Sequence, residues 1–344
     1  MGNEHLLEVR DLHVSFFTHA GEVKAVDGIS YHVDRGEVLG IVGESGSGKS
    51  VEAYSIMGLL QSPGKIVDGS ITFEGRDVIA MSTKERRAFR GKDVSMIFQN
   101  PMTCLNPVYT IGTQMSEALR NHEKLTKEEA LERVKDALHK VGINNVEQRV
   151  RQYPHELSGG MRQRVMIAMG MICSPSLLIA DEPTTALDVT IQAQILELMR
   201  SLQRETGMGV IFITHNLGVV AEICDRVAVM YAGHLVEKAP VRDIFYRPAH
   251  PYTEGLLRSI PKLSEDGHER LIPIEGTPVN LLEAPEGCMF HPRCRKCMEV
   301  CRHKVPPETQ VGEDHYASCW LLRAGELTEE EKAHVDVFEG VGTV

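Results

Sequence analysis

The segment Gly43–Ser50 constrains the fold of this 344-residue chain more than any other stretch. It reads GESGSGKS and fits G-x-x-x-x-G-K-[ST], a pattern in which a glycine-rich loop turns its backbone N–H groups inward around phosphate. In such a loop Lys49 supplies positive charge to the β- and γ-phosphates, and the Ser50 hydroxyl binds Mg²⁺. The alternative interpretation is a glycine-rich turn that happens to carry a lysine.

The residues on either side of the loop favour phosphate binding. Residues 38–42 are apolar or glycine and read as a buried strand that runs into the loop. After the loop, apolar residues recur at every third position, which predicts one face of a helix. These residues are Val51, Tyr54, Met57 and Leu60. The N-terminus of that helix adds its positive dipole end at the phosphates.

Composition is typical of a soluble globular protein. Hydrophobic residues make up 42% and charged residues 25% of the chain, and the net charge of -11 provides no basic field for nucleic acid. No apolar run approaches the roughly 20 residues that span a bilayer, and residues 1–5 lack an export signal. We therefore expect a cytosolic protein, in which the eight cysteines are thiols or metal ligands rather than disulfides.

Two further predicted strands end in polar side chains suited to phosphate chemistry. Gln99 follows the apolar run at residues 94–98, where its carbonyl oxygen can reach a metal-bound water. Asp181 and Glu182 follow the apolar residues 177–180, at the carboxyl end of a buried strand, where ligands of α/β sheets bind. Asp181 is expected to hold Mg²⁺ through water, and Glu182 to polarise the attacking water. Acidic pairs at strand ends are often only solvated, but this pair shares its chain with a phosphate-binding loop.

A helical region is predicted at residues 106–154, and a second candidate anion site follows it. The segment Thr126–Glu129 has the capping-box pattern of a helix start. Ser158 is a favourable N-cap for the next helix, and Gly159 and Gly160 leave the first backbone amides uncovered. This is either an ordinary capped helix or a site that reaches a phosphate bound on another chain.

Three more positions complete the candidate site. Asp188 lies in the predicted turn before a helix. The strand predicted at residues 210–214 ends at His215, which can bond a γ-phosphate, although a lone histidine at a strand end is usually structural. Phe16 or Phe17 can stack on an adenine ring, and packing within a sheet explains either residue equally well.

The order of these elements resembles that of the nucleotide-binding subunits of ABC transporters, over about residues 7–255. The segment Leu157–Met161, LSGGM, is far more specific for this family than the phosphate-binding loop alone. The residues that the resemblance assigns to catalysis are Gln99, Glu182 and His215, and those that it assigns to Mg²⁺ are Ser50, Gln99 and Asp181. Those that it assigns to ATP are Phe16, Gly43, Glu44, Ser45, Gly46, Ser47, Gly48, Lys49, Ser50, Ser158, Gly159, Gly160 and Asp188.

Further motifs are similar to those of oligopeptide and dipeptide importer ATPase subunits of the D type. They are residues 43–51, 101–103, 105–107, 161, 188–194 and 250–253. This resemblance extends to about Trp320. Asn100 and Asn216 depart from the family pattern, in which Asp is usual, and each replaces a negative charge by a hydrogen-bond donor.

The resemblance also implies a reaction and a set of partners. Mg-ATP is hydrolysed between two such subunits, where each ATP lies between the phosphate loop of one chain and residues 158–160 of the other. The implied partners are a second, homologous ATPase subunit in a heterodimer, two membrane permease subunits and an extracellular or periplasmic peptide-binding protein, with no nucleic acid. The protein is then a peripheral subunit at the cytoplasmic face of the membrane.

Two other classes compete with this interpretation. One is a soluble ATPase of the same kind that acts on nucleic acid or ribosomes. Such proteins usually carry long coiled-coil insertions or two cassettes in one chain, and neither is present here. The other is a cluster-bearing regulator that binds ATP without turnover, and Glu182 argues against it.

The implied fold is α/β, with a P-loop NTPase (RecA-like) core, an antiparallel β subdomain, an inserted helical subdomain and a C-terminal cysteine-rich extension. The expected boundaries are 1–105 for the first part of the core with the antiparallel subdomain, 106–165 for the helical subdomain with the signature motif, 166–247 for the second part of the core, 248–325 for the extension and 326–344 for an acidic tail. Residues after Leu327 are expected to be frayed.

Five of the eight cysteines lie in the extension, at Cys288, Cys294, Cys297, Cys301 and Cys319. The importer resemblance implies that Cys288, Cys294, Cys301 and Cys319 bind a [4Fe–4S] cluster, which four thiolates suit chemically. Cys294 and Cys297 also form a C-x-x-C pair, which is half of a zinc site. Histidines that can complete such a zinc site are His291, His303 and His315. A loop of free thiols is the third interpretation.

Overall fold

The computed structural model describes residues 5–100, 104–185, 187–260 and 273–337. Two compact units make up the chain, and each is assembled from separate segments. The first unit comprises Met1–Glu8, His32–Leu39 and Ile71–Ile213, and the second comprises Val9–Tyr31, Gly40–Ser70 and Thr214–Val344. Residues 101–103, which carry one of the importer motifs, lie outside the described ranges.

The strands form two sheets. In chain order they are β1 (Leu7–Thr18), β2 (Gly21–Val33), β3 (Val38–Val42), β4 (Gly64–Phe73), β5 (Arg76–Asp77), β6 (Val94–Ile97), β7 (Leu177–Asp181), β8 (Gly209–Thr214), β9 (Arg226–Tyr231), β10 (His234–Pro240), β11 (Thr309–Gly312) and β12 (His315–Ala317). One sheet has the order β2-β1-β4-β5, and the other has the order β11-β12-β10-β9-β3-β8-β7-β6.

Helices follow several of these strands and confirm the expected α/β class. They are α1 (Lys49–Ile56), α2 (Thr83–Lys92), α3 (Ile111–His122), α4 (Lys127–Lys140), α5 (Val146–Arg149), α6 (Gly159–Met171), α7 (Val189–Thr206), α8 (Leu217–Ile223), α9 (Val241–Tyr246), α10 (Pro251–Arg258) and α11 (Glu299–His303). Within the described ranges, every helix is too short or too polar to cross a membrane.

Three parallel strands of the first unit confirm the strands predicted around residues 94–98, 177–180 and 210–214. β7 pairs in parallel with β6 and with β8, so that Leu177 lies opposite both Val94 and Gly209. Every residue of the three strands is buried. Continuous burial explains their near-continuous apolar sequence, because parallel strands are usually covered on both faces.

The helical region predicted at residues 106–154 is confirmed as helices α3, α4 and α5. Thr126 caps α4, since its hydroxyl accepts the Glu129 N–H while the Glu129 carboxylate accepts the Thr126 N–H at 2.9 Å. Val134 and Leu138 lie four residues apart and bury the same face of the helix. The capping box therefore starts a helix whose apolar face packs inside the first unit.

The helix predicted after the phosphate loop is confirmed, but the four apolar residues predicted to share one face of it do not form its buried face. Helix α1 ends at Ile56, so Leu60 lies beyond it, and its buried residues include Glu52, Ala53 and Ile56. Of the predicted residues, Met57 at the C-cap is buried, while Val51 and Tyr54 are only half-buried. Positions three residues apart are rotated by about 300°, so four of them drift across half the helix surface. Glu52 and Ile56, four residues apart, lie on one face, and Ala53 borders it.

A buried carboxylate joins the C-terminal part of the second unit to strand β10. Glu237 accepts the backbone N–H groups of Ala249 at 2.7 Å and His250 at 3.0 Å, and His315 Nε2 at 2.8 Å. Strand β12 lies antiparallel to β10, with Glu237 opposite Ala317. Because the carboxylate is buried, the three hydrogen bonds that it accepts offset the free-energy cost of removing it from water.

The expectation of a frayed tail after Leu327 was wrong for the residues that the structure describes. Backbone N–H groups of residues 299 and 300 donate to the carbonyls of residues 333 and 331, and Val335 N–H donates to Cys297 O at 3.0 Å. Glu331 also binds Lys304 at 2.7 Å and caps the turn that begins at Thr328. The Thr-x-x-Glu pattern of this turn was present in the sequence. Residues 338–344 lie outside the description.

Candidate nucleotide-binding and cysteine sites

The phosphate loop has a backbone path that only glycine allows at two of its positions. A Cβ atom at Gly43 would lie 2.1 Å from the Met230 carbonyl oxygen, which is far inside van der Waals contact. Gly48 has a φ of 104°, and a Cβ atom there would lie 2.3 Å from the Ala25 carbonyl oxygen. The glycines of the motif are therefore required by the packing of the loop against neighbouring backbone.

Lys49 lies beneath this loop at the first position of helix α1. Its Nζ donates to the carbonyl oxygens of Gly43 and Glu44, both at 2.8 Å, and lies 3.4 Å from Ser47 Oγ. The side chain is buried, so its charge acts in a low-dielectric setting. Ser50 follows in the first helical turn, where the backbone N–H groups of a helix N-terminus favour anions.

Glu44, within the loop, is held by residues of the C-terminal part of the second unit. Its backbone N–H donates to the Tyr252 hydroxyl at 2.9 Å. Its carboxylate accepts two hydrogen bonds from the Arg293 guanidinium, at 2.6 Å to Oε2 and 3.1 Å to Oε1. Sequence reasoning assigned Glu44 to ATP and gave no role to Tyr252 or Arg293. A buried arginine has no local sequence signal, so only the fold could reveal the pair.

In the first unit, the acidic pair predicted after strand β7 lies at the end of that strand, where it meets Gln99. Asp181 is buried, and Glu182 has a left-handed backbone with φ of 47°. Glu182 N–H donates to Ile213 O at 2.9 Å, and its Oε2 accepts the Gln99 amide at 2.8 Å and the Thr185 hydroxyl at 2.9 Å. The structure thus brings two of the three proposed catalytic residues together.

The segment that begins at Ser158 forms a capped helix start with open space in front of it. Ser158 Oγ accepts the Met161 N–H at 3.3 Å. Ser158 and Gly159 are exposed, and a Cβ atom at Gly159 would meet nothing within 4 Å. Gly160 is more confined, since its Cβ would lie 3.2 Å from an Ile191 methyl group. The first amides of α6 are therefore open to an approaching ligand.

The remaining predicted positions have different surroundings. Asp188 caps helix α7, accepting the Ile191 N–H at 3.0 Å. His215 follows strand β8 and is exposed. The ring of Phe16 is half-buried against Gly64, whereas Phe17 is 48% exposed. These contacts show packing for Phe16 and an accessible ring at Phe17.

Four of the five extension cysteines share a pattern that the fifth lacks. Burial raises the pKa of Cys288, Cys294 and Cys319, to about 11 for Cys294 and to about 12 for Cys319. In each case a hydrogen bond from the backbone N–H two residues later in the chain to the sulfur opposes this rise. The N–H of Met298 does the same for Cys301. Such N–H···S bonds stabilise thiolates, the form that binds metals.

Cys297 is the exception. Its interaction with Cys301 lowers the pKa of Cys301 to about 7 and raises that of Cys297. The Cys297 sulfur also lies 3.6 Å from the Met298 carbonyl oxygen, as a donor rather than as a ligand. The structure therefore separates Cys297 from the other four thiols.

The zinc interpretation lacks a compact ligand set. Four thiolates around zinc stand about 3.8 Å apart, from a Zn–S distance of about 2.3 Å in a tetrahedron. Among the residues that the structure describes in the extension, three or more Cys, His, Asp or Glu ligand atoms nowhere come within 4.8 Å of one another. His315 Nε2 binds Glu237, and His303 Nε2 binds Glu299 at 3.1 Å. His291 Nδ1 lies 3.0 Å from the Cys288 carbonyl oxygen, so all three candidate histidines have other partners.

The phosphate loop with its buried lysine, and the strand that ends in two carboxylates, define a nucleotide-binding protein of the P-loop class. Solved ABC cassettes share the fold. The ATP-binding cassette MJ0796, solved as a dimer with ADP and Pi, has a TM-score of 0.62 at 24% identity, over 69% of this chain and 99% of that one. The cbiO1 protein from Clostridium perfringens, part of the ABC transporter complex cbiONQ, has a TM-score of 0.61 at 30% identity, over 71% and 92%.

Sequence comparison defines the branch within this class. Residues 26–185 match the family "ABC transporter", and residues 236–301 match "Oligopeptide/dipeptide transporter, C-terminal region". The dipeptide transport ATP-binding protein DppD of Bacillus subtilis (strain 168) is 54% identical over 92% of this chain and 95% of its own length. The oligopeptide transport ATP-binding protein OppD of Salmonella typhimurium is 52% identical over 88% and 90%. This chain therefore belongs to the ABC transporter ATP-binding proteins, in the branch with the oligopeptide/dipeptide C-terminal region.

Proposed function

We propose that this chain is the ATP-hydrolysing subunit of an ABC importer for dipeptides or oligopeptides. The observation that carries the proposal is the 54% identity to a dipeptide transport ATP-binding protein over 92% of the chain. The match of residues 236–301 to the oligopeptide/dipeptide transporter family supports peptide cargo, because that match lies outside the residues 26–185 of the general ABC match.

Each polar group of the candidate site receives a role in Mg-ATP hydrolysis. Lys49 binds the β- and γ-phosphates, with the loop amides of residues 43–50 around them. Ser50, the carbonyl oxygen of Gln99, and Asp181 hold Mg²⁺ or its waters. Glu182 polarises the attacking water. His215 bonds the γ-phosphate, and Phe16, with Phe17 as the alternative, stacks on adenine.

A second ATPase subunit completes the site in this proposal. Ser158, Gly159 and Gly160 of one chain bind the ATP held by its partner, and Asp188 contributes at the same interface. The exposed start of helix α6 supports this role, because uncovered amides at a helix N-terminus are an anion site that a single chain leaves open. The partner is a homologous ATPase, so that the pair is a heterodimer.

The remaining partners are two membrane permeases and an extracellular or periplasmic peptide-binding protein. We place the chain peripherally on the cytoplasmic face of the membrane, where the permeases can transmit its closing on ATP and its opening after hydrolysis. The net charge of -11 supports the absence of nucleic acid from the list of partners, because binding to phosphate backbones needs a basic surface.

We assign a [4Fe–4S] cluster to Cys288, Cys294, Cys301 and Cys319. The N–H···S bonds at all four sulfurs support this set. When bound, the cluster supplies iron–thiolate bonds that cross-link the extension, which has few apolar residues of its own to pack. Cys297 remains a thiol in this assignment.

Reconstitution tests the function directly. The full complex, with its permeases, second ATPase and binding protein in lipid vesicles, should accumulate labelled di- or tripeptides only when Mg-ATP is supplied on the side of the ATPase. Lys49→Met should abolish uptake and phosphate release together, because the buried ammonium has no replacement. ATP hydrolysis that ignores peptide and responds to nucleic acid would reject the importer and favour the soluble class of ATPase.

A further inference from the structure

We propose that Arg293 is a positioning residue for nucleotide, and that through it the cysteine-rich segment, residues 288–303, sets the affinity of the phosphate loop for ATP. The proposal rests on the ATP-binding function argued above. It starts from one ion pair: the Arg293 side chain is 3% exposed and grips both carboxylate oxygens of Glu44. In sequence, Arg293 lies between Cys288 and Cys294.

The guanidinium also binds groups outside the phosphate loop. Its Nε donates to Glu275 O at 3.0 Å, and a terminal nitrogen lies 3.4 Å from Ile274 O. The other terminal nitrogen lies 3.4 Å from the Tyr231 hydroxyl. Since the planar fork of arginine has a fixed geometry, these bonds hold the guanidinium in place. Through the Arg293 side chain, the position of Glu44 then depends on the position of the segment around residues 288–294.

A second connection runs through aromatic rings. Phe290, from the same segment, packs against Tyr231 and Tyr252, each with a ring-centre distance of 5.3 Å. The Tyr252 hydroxyl in turn accepts the Glu44 N–H. Both the backbone and the side chain of Glu44 are thus held by groups that contact the cysteine-rich segment.

Glu44 links these contacts to the phosphates. Its carbonyl oxygen accepts a hydrogen bond from Lys49 Nζ at 2.8 Å, and Lys49 is the residue that we assign to the β- and γ-phosphates. A carboxylate in a phosphate-binding loop repels the nucleotide unless another charge neutralises it. Arg293 provides that charge and draws the carboxylate to one side. Without Arg293, repulsion by the Glu44 carboxylate should weaken the binding of ATP more than that of ADP, because ATP carries the additional negative charge.

Thermodynamic linkage makes the effect reciprocal. If the segment raises the affinity of the loop for nucleotide, then bound nucleotide must stabilise the segment by the same free energy. Amide hydrogen exchange at residues 288–303 should therefore slow when the chain binds a nonhydrolysable ATP analogue with Mg²⁺. This measurement needs no variant and no activity.

The test compares the Kd of a fluorescent ATP analogue across variants of the full chain. Arg293→Met should raise the Kd about tenfold, within the range of about 5- to 150-fold typical of coupling between sites, and Arg293→Lys should fall between it and the wild type. Adding Glu44→Gln to Arg293→Met should return most of the lost affinity, because the repelling charge is gone. A merely structural role for Arg293 predicts no such recovery.

Arg295→Met is the matched control. Arg295 also adjoins Cys294, but its guanidinium pairs at the surface with the Glu275 carboxylate rather than with the phosphate loop. The Kd of Arg295→Met for the ATP analogue should equal that of the wild type. An equal loss of affinity in Arg295→Met and Arg293→Met would overturn the proposal. The proposal would also be overturned by a folded Arg293→Met variant whose Kd equals that of the wild type. The same holds if nucleotide leaves the hydrogen exchange of residues 288–303 unchanged in the wild-type chain. A wild-type chain that binds no nucleotide would instead reject the proposed function itself.

Discussion

The side-chain amide of Gln99 donates a 2.8 Å hydrogen bond to Glu182 Oε2. Glu182 has a left-handed backbone, which costs about 1–3 kcal/mol for a residue with a side chain. Its N–H bond to Ile213 O and its bond from Thr185 hold that conformation. The left-handed backbone therefore lowers stability while it fixes the orientation of the Glu182 carboxylate, as expected if Glu182 acts on a reacting atom.

Replacing Glu182 by Gln should stop turnover while leaving nucleotide bound. The substitution keeps the shape of the side chain and removes the base, so the rate of phosphate release should fall by about 10²- to 10⁴-fold, the usual contribution of a general base. Phosphate release and nucleotide retention in the assembled complex measure the two effects. Glu197→Gln, at an exposed position of helix α7, is the control and should leave both unchanged. Undiminished phosphate release from the Glu182 variant would exclude the residue as the base.

A methyl group at Gly159 should disturb the interface between subunits but not the fold. Its Cβ would point into open space, and alanine favours a helix more than glycine does, so thermal stability should stay level or rise slightly. Hydrolysis should nevertheless fall by about 10²-fold, because the methyl group displaces a phosphate held by the partner chain. Gly325→Ala, which also meets nothing within 4 Å, is the control. The assignment fails if the Gly159 variant hydrolyses ATP at the wild-type rate in the complex.

Serine substitutions should sort the five extension cysteines into four ligands and one thiol. Cys288→Ser, Cys294→Ser, Cys301→Ser or Cys319→Ser should each lose iron, labile sulfide and visible absorbance in anaerobically purified protein. Cys297→Ser should retain all three, since the Cys297 thiol donates to the Met298 carbonyl oxygen and is not a ligand in this assignment. Equal iron loss from the Cys297 variant, or zinc instead of iron in the wild type, would contradict the assignment.

Local signals explain which features the sequence predicted well. The phosphate loop, the capping box at Thr126 and the N-cap at Ser158 each depend on residues a few positions apart, and the structure has all three. The buried strands β6, β7 and β8 have apolar runs that are long enough to read directly. Polar residues that follow such runs, Gln99 and Glu182, therefore met at the strand ends as a parallel sheet requires.

Long-range contacts explain what was missed. Arg293 and Glu44 are 249 residues apart, and no periodicity connects them. The docking of residues 328–335 on the cysteine-rich segment depends on backbone hydrogen bonds. Any sequence can form such bonds, so the sequence contains no signal for them. The buried face of α1 was misread because Glu52, a charged residue, lies on it. In each case the tertiary partner decides the outcome.

The N-cap of helix α10 should make the stability of the protein depend on pH. His250 is fully buried, and its Nδ1 accepts the Tyr252 N–H at 3.0 Å. Burial lowers the pKa of His250 to about 3, whereas an unfolded histidine titrates near about 6.5. Between these values the unfolded chain binds a proton that the native chain excludes, so stability is present above about pH 6.5 and is lost as the pH falls.

Asparagine at position 250 separates this effect from capping. It is a strong N-cap that can accept the same N–H, and it does not titrate. From pH 6 down to pH 4, the free energy of unfolding of the wild type should therefore fall faster than that of His250→Asn, by about 1.4 kcal/mol per pH unit. Urea unfolding at several pH values measures the two slopes, with His19→Asn, at an exposed position, as the control. Parallel slopes for the wild type and His250→Asn would mean that the native state accepts the proton after all, and that the buried N-cap is more accessible to solvent than its packing indicates.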